Sequence, residues 1–247
     1  MPRFFVDKEN MTEENGEILV TIKGEDAHHI SRSLRMAVGE KIEVCDKDGT
    51  VYNCVLTGFT DKDVFARALS SEEADSEPKT KITLYQALPK SDKMETIIQK
   101  TIECGVYKIV PFRSDFCVVK LDSRDGEKKR ERWQKIAEGA AKQSGRGIIP
   151  EVLVPLDFKP AVAEAMESEL VIFCNEREKE TTLKDVLTSS DAKEIAVIIG
   201  SEGGFSEKEA EYIKENGAKS VTLGKRILRC ETAPTFVLSI ISYEKEM

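Results

Sequence analysis

Two short glycine loops carry the residues best suited to chemistry. The first, Gly200-Ser201-Glu202-Gly203-Gly204, ends the apolar run 195–199. The second starts at Leu223-Gly224 and continues Lys225-Arg226-Ile227-Leu228-Arg229-Cys230-Glu231. Three cations and one carboxylate in the eight residues 224–231 suit recognition of a phosphate or carboxylate, because a guanidinium presents a planar fork of donors. Ile227 and Leu228 between the charges are read as an apolar anchor. Glycine loops also leave backbone N–H and C=O groups open to a ligand such as an adenine edge. Neither the GxGxxG fingerprint nor the P-loop spacing is present. Alone, the first loop reads more readily as a strand-to-helix turn that needs a positive φ, and the second as a solvated charged turn. Their pairing is what points to a pocket.

Other polar groups are weighed in the same way. His28-His29 are the two histidines of the chain and are adjacent, so no zinc site is expected. Beside Arg32 and Arg35 they suit hydrogen bonding or an RNA contact. Six cysteines (45, 54, 104, 117, 174, 230) show no CxxC spacing, which predicts reduced, buried thiols of a cytoplasmic protein. Residues 120–146 hold nine basic against five acidic residues. That stretch is either a salt-bridged exposed face or an RNA-facing one ending at Gln143-Ser144-Gly145-Arg146. Trp133 reads as a core or subunit-interface residue.

The elements that must position these groups follow from pattern. With 247 residues, 40% hydrophobic and 33% charged, the chain has the composition of a globular protein. No apolar run approaches the roughly 20 residues of a membrane helix, and MPRFFVDKEN lacks an export signal. The net charge of −8 argues against a polyanion partner, but residues 1–75 alone carry −7. Local patches govern docking, so RNA is not excluded.

The first seventy residues read as strands at 18–22, 41–45, 51–58 and 64–69, with Asp48-Gly49 as a hairpin turn. A helical piece over 27–36 has Asp26 as its N-cap. The acidic stretch 70–79 reads as a linker, giving domains 1–72 and 73–247. Beyond it, strands at 82–88, 107–112, 152–154, 170–174, 195–199 and 220–223 alternate with helices. Those helices are expected over 91–104, 123–144, 161–166, 183–187 and 233–246. One more is opened by a Ser206–Glu209 capping box and stopped at Asn216-Gly217. Such alternation predicts a mostly parallel sheet covered by helices, with ligands at the carboxyl ends of its strands.

Six segments then carry a resemblance along the whole chain: PRFF, HHISRSLRMAVGE, LPKSDKMETIIQKTIECGV, RERWQKIAEGAAKQSGR, IGSEGGFSEKE and LGKRILRCETAP. The chain resembles the bacterial 16S ribosomal RNA uridine-N3 methyltransferases, the RsmE family of the SPOUT superfamily. The resemblance implies an α/β protein with an N-terminal PUA-like β-barrel for RNA binding. A SPOUT domain with a C-terminal trefoil knot follows, and the chain is expected to be a homodimer. It implies S-adenosylmethionine as cofactor, S-adenosylhomocysteine as product, and 16S rRNA of the small ribosomal subunit as partner, with neither membrane nor metal.

Carried over by position, Cys174, Ile199, Gly200, Gly204, Leu223, Gly224, Ile227 and Leu228 would hold the cofactor. Arg146, Arg229, Glu231 and Glu202 would serve the chemistry. Arg3, His29, Arg32, Arg35, Lys142 and Arg226 would meet RNA. The family usually has proline where this chain has Ser201. A SAM- or RNA-binding assembly factor without turnover, or a SPOUT enzyme acting on another RNA, are the competing readings.

Overall fold

The computed structural model describes residues 1–119 and 123–247, so the start of the basic stretch 120–146 lies outside the described residues. The chain divides into two units, one of Met1–Glu77 with Ala141–Ile149 and one of Pro78–Ala140 with Pro150–Met247. A boundary drawn once along the chain at 72/73 does not anticipate the return of 141–149 to the first unit.

The first unit is built on six strands: β1 (Arg3–Phe5), β2 (Met11–Glu14), β3 (Glu17–Ile22), β4 (Lys41–Cys45), β5 (Thr50–Phe59) and β6 (Val64–Glu73). They form one sheet in the order β1-β4-β5-β6-β3-β2. β1 joins β4 in parallel and every other pairing is antiparallel. Inward residues Val20, Ile22, Ile42, Val44, Leu56 and Ala66 form its core with Phe4. Lys47 and Gly49, both at positive φ, close the β4–β5 hairpin around Asp48. β6 continues to Glu73, opposite Thr50, so residues 70–73 are strand and not linker.

The helical piece starts earlier than expected. α1 (Gly24–His28) begins with Lys23 at its N-cap and passes into one π turn, His29–Ser33, whose Ile30 is buried. Asp26 is therefore no cap. It lies in the first turn and accepts from Lys142 Nζ at 2.7 Å.

The segment 141–149 is locked into this unit by charge. Arg146 is 3% exposed and donates from Nε and Nη2 to Glu77 at 2.9 and 2.7 Å. Gly147 N–H adds a bond of 2.7 Å to the same carboxylate. Burial opposes ionisation of Glu77, yet Arg146 and the 147–148 amides outweigh it and hold the carboxyl below its usual range. Arg3 donates to Glu43 and to the carbonyls of Gly145 and Arg146. Arg3, Lys142 and Arg146 are thus committed inside the unit. Arg146, expected to serve the chemistry, and Arg3 and Lys142, expected to meet RNA, are here engaged by Glu77, by Glu43 with two backbone carbonyls, and by Asp26.

The second unit is a parallel sheet of β7 (Lys81–Ala87), β8 (Lys108–Arg113), β9 (Glu151–Val152), β10 (Leu156–Asp157), β11 (Leu170–Cys174), β12 (Glu194–Ile199) and β13 (Lys219–Val221). Its order is β10-β8-β7-β12-β11-β13, with β9 also on β8. The helices are α2 (Lys93–Glu103), α3 (Ser123–Ser144), α4 (Phe158–Ala165), α5 (Leu183–Thr188), α6 (Glu207–Glu215) and α7 (Thr232–Glu246). β11 and β12 are buried along nearly their whole length, which explains their unbroken apolar runs. Because β11 sits between β12 and β13, three adjacent strands end side by side at the carboxyl edge. Trp133 of α3 is a core residue.

Candidate active site

The ends of β11, β12 and β13 surround a cavity of about 400 Å³. Cys174, Ile199, Gly200, Gly204, Leu223, Gly224, Ile227 and Leu228, the residues expected at the cofactor, all line it. Glu202, Arg226 and Arg229 line it as well. The Cys174 thiol, pushed up to about 12 by burial, meets the cavity as a neutral group.

The first loop is held open by packing. Phe205 fits into the core against Phe173, ring centroids 5.2 Å apart and edge-on, and against Phe112. Gly200 needs its lack of a side chain for space: a Cβ there would lie 3.0 Å from Gly204 Cα and from Phe205. Gly204 needs it for its φ of +67, while the 2.8 Å between an added Cβ and Glu176 Oε1 is relieved when that exposed side chain swings away. Gln86 of β7, wholly buried, donates to the Gly200 carbonyl at 3.1 Å. Among the described residues, Gln86 Oε1 and Ser201 Oγ are buried without a hydrogen-bond partner.

The loop then leads into α6 through the predicted capping box. Ser206 Oγ accepts from the Glu209 N–H, and Glu209 Oε2 accepts from the Ser206 N–H. Glu209 also takes the Asp115 N–H at 2.8 Å, and Ser206 Oγ donates to Asp115 at 2.7 Å. The turn is therefore fixed at both ends.

Charge at the cavity converges on Lys93. Its ammonium lies 2.9 Å from Glu202 and 3.3 Å from Glu231. Burial disfavours the charge on both carboxyls. For Glu202, Lys93 and backbone N–H groups outweigh it; for Glu231, its own backbone N–H, the Cys230 thiol and Lys93 do. Both stay below the usual carboxylate range. Hydrogen bonding to Glu202 in turn raises Lys93. Arg229, with its side chain 82% exposed, stands 3.9 Å from Glu231. The site thus offers exposed guanidinium groups, ion-paired carboxylates and a wall of backbone.

Residues 76–242 match the RNA methyltransferase domain family, and residues 22–69 match the RNA methyltransferase PUA domain. The chain is 34% identical to the ribosomal RNA small subunit methyltransferase E of Bacillus subtilis, covering 100% of this chain and 98% of that one. It belongs to that family.

Two solved relatives extend the match to structure. The ribosomal RNA small subunit methyltransferase E of Neisseria gonorrhoeae, bound to S-adenosyl methionine, is 32% identical with a TM-score of 0.86, covering 98% of this chain and 97% of that one. A putative methyltransferase of Legionella pneumophila, in complex with the cofactor SAM, gives the same identity and TM-score over 98% and 96%. The mixed α/β fold described above is accordingly a PUA-like domain and a methyltransferase domain, and the protein is an RNA-methylating enzyme.

Within this methyltransferase, the site residues divide into those brought together and those kept apart. Glu231 reaches the cavity cluster through Lys93. His29, Arg32 and Arg35 are exposed on the PUA-like domain. Ile227, 80% exposed, is no apolar anchor for its neighbouring cations; that part is left to the half-buried Leu228. Sequence reasoning missed Lys93 and Gln86. Lys93 had a signal, being a cation in the first turn of a helix, where the dipole disfavours it. Gln86 had one too, as an amide within a buried strand.

Proposed function

We propose that this enzyme transfers a methyl group from S-adenosylmethionine to N3 of a uridine in 16S rRNA of the small ribosomal subunit. The observation carrying the reading is the convergence of seven motif residues and Cys174 on one cavity that Arg226 and Arg229 also line. The residues suit the cofactor: the cavity has the size of small-ligand sites, and its walls are glycine backbone, aliphatic side chains and a neutral thiol. The unpartnered Ser201 hydroxyl supplies a further polar group.

When bound, S-adenosylmethionine supplies a methyl already activated by its sulfonium. The protein's task is then to hold uridine N3 in line with it. Uridine N3 is a poor nucleophile until its imide proton leaves. Arg229 and Arg226 stabilise the charge that develops on O2 and O4. Glu202 and Glu231, held below the ordinary carboxylate range, accept that proton only transiently and pass it to solvent. His29, Arg32 and Arg35 bind the surrounding RNA, a contact that weakens with salt. The same reading includes closure of the N-terminal sheet as a barrel, a C-terminal trefoil knot, a homodimer and a cytoplasmic setting.

Mass spectrometry of ribosomal RNA from a strain lacking the gene tests the function. One 3-methyluridine of 16S rRNA should vanish and return on complementation. An unchanged 3-methyluridine complement rejects the reading.

A further inference from the structure

Lys93 occupies an electrostatically unfavourable place for a lysine, the first turn of α2. Helix stability does not account for it; its partners do. Glu202 comes from the turn after β12, whereas Cys230 and Glu231 come from the segment entering α7. Lys93 Nζ lies 2.9 Å from Glu202 Oε1, 3.3 Å from Glu231 Oε2 and 4.0 Å from Cys230 Sγ. The Lys90 N–H, just ahead of α2, also donates to Glu202 at 3.1 Å. On the far side of Glu231, its other oxygen faces Arg229 at 3.9 Å. One ammonium therefore ties together the two loops that bound the cavity.

We propose that Lys93 is a positioning residue for methyl transfer, clamping the 200–204 turn to the 229–231 segment and, through Glu231, aiming Arg229 at the cavity. This rests on the cofactor and substrate reading above. The groups facing Lys93 are two carboxylates and a thiol that burial pushes up to about 12, and among the described residues it is the one cation within 3.3 Å of both acids. Without it, two anions that share one nitrogen as neighbour would face each other in a partly buried setting. Like charges so placed either move apart or take up a proton. Spreading the loops would loosen the cofactor walls, and a freed Glu231 would no longer orient Arg229. Arginine at position 93 could reach both carboxylates; methionine would fill the space without the charge.

The test uses the full-length protein and titrates S-adenosylhomocysteine from about pH 5 to about pH 8, the span between ordinary carboxylate and neutral conditions. Single-turnover methylation of a small-subunit rRNA fragment is followed alongside. Lys93→Met should weaken binding about tenfold and slow the single-turnover step further, while Lys93→Arg restores most of both. Wild-type affinity should be flat over that range. The Lys93→Met affinity should improve as pH falls, because protonating one carboxylate relieves the repulsion; a purely structural role would give no such slope. Glu231→Gln should change the S-adenosylhomocysteine affinity of Lys93→Met protein less than that of wild type, since the two residues act as a unit in the clamp. Should Lys93→Met fail to fold, Lys93→Gln is read in the same way. Wild-type affinity, rate and pH profile in the charge-removing variant, or strictly additive effects on affinity with Glu231→Gln, would overturn the proposal. A wild-type protein that binds no S-adenosylhomocysteine would instead reject the cofactor reading on which it rests.

Discussion

Arg146 and Glu77 form a two-pronged ion pair, 2.9 Å from Nε to Oε1 and 2.7 Å from Nη2 to Oε2, which ties residues 141–149 to the N-terminal stretch. Removing Arg146, the buried member of this part-buried pair, strands Glu77. Arg146→Met should therefore lower the stability of the PUA-like unit by about 3 kcal/mol. Urea unfolding followed by hydrogen exchange of the first-unit strands measures this. An unchanged midpoint would contradict the structural role.

The same pair sets an acid limit. The folded Glu77 carboxyl lies below its ordinary value of 4.5. Its contribution is fully present above that value and disappears as pH falls through the lower, folded one. Wild-type stability of the first unit should thus fall with acid in this window. Glu77→Gln should flatten that part of the profile while lowering stability at neutral pH.

Gly204 combines φ +67 with a close approach to Glu176. Gly204→Ala should force the turn to reshape and weaken S-adenosylmethionine binding about tenfold, the effect of roughly 1.4 kcal/mol. Gly217, with φ +107 but open space around it, ends α6 away from the cavity lining. Gly217→Ala should cost about 1 kcal/mol of stability and leave cofactor affinity unchanged. Calorimetric titration of both variants separates backbone strain from loss of the pocket.

Arg229 is largely exposed at the cavity, so its removal should leave folding intact. Arg229→Ala should slow the single-turnover rate about 100-fold, the usual loss of one anion-stabilising donor. Cofactor affinity should stay within about threefold. A rate near wild type would remove Arg229 from the chemistry.

Ser201 Oγ is buried with no hydrogen-bond partner. Burying an unpaired hydroxyl is unfavourable, so Ser201→Ala should raise the stability of the cofactor-free protein by about 1 kcal/mol. Thermal unfolding without and with S-adenosylmethionine reads this. A variant less stable than wild type in the free form would show that the hydroxyl is satisfied.

Local pattern sufficed for most elements because their signals are local. The unbroken apolar run at β12, the Ser206–Glu209 capping box and the Asn216-Gly217 stop each appear in the structure where the residues placed them. α3 spans Ser123–Ser144 as its pattern predicted, and Gly145 follows it at φ +70. β1, β2 and β10 escaped notice, since strands of two to four residues carry too few positions to show a period. Asp26 does not cap because the helix opens two residues ahead of it, at Gly24, which places Asp26 inside the first turn.

Seven of the cavity residues could be named from the two glycine loops and their motif resemblance, and Cys174 from the end of its strand by the same resemblance. That they share one cavity depends on β11 lying between β12 and β13, an order set by nonlocal pairing. Charge roles were least legible. Arg146 and Arg229 look alike along the chain, yet one is sealed against Glu77 and the other stands open at the cavity. A cation's type and spacing are properties of sequence. Whether it meets a carboxylate or solvent is decided by which segments tertiary packing brings within about 4 Å, where Coulomb attraction and desolvation compete.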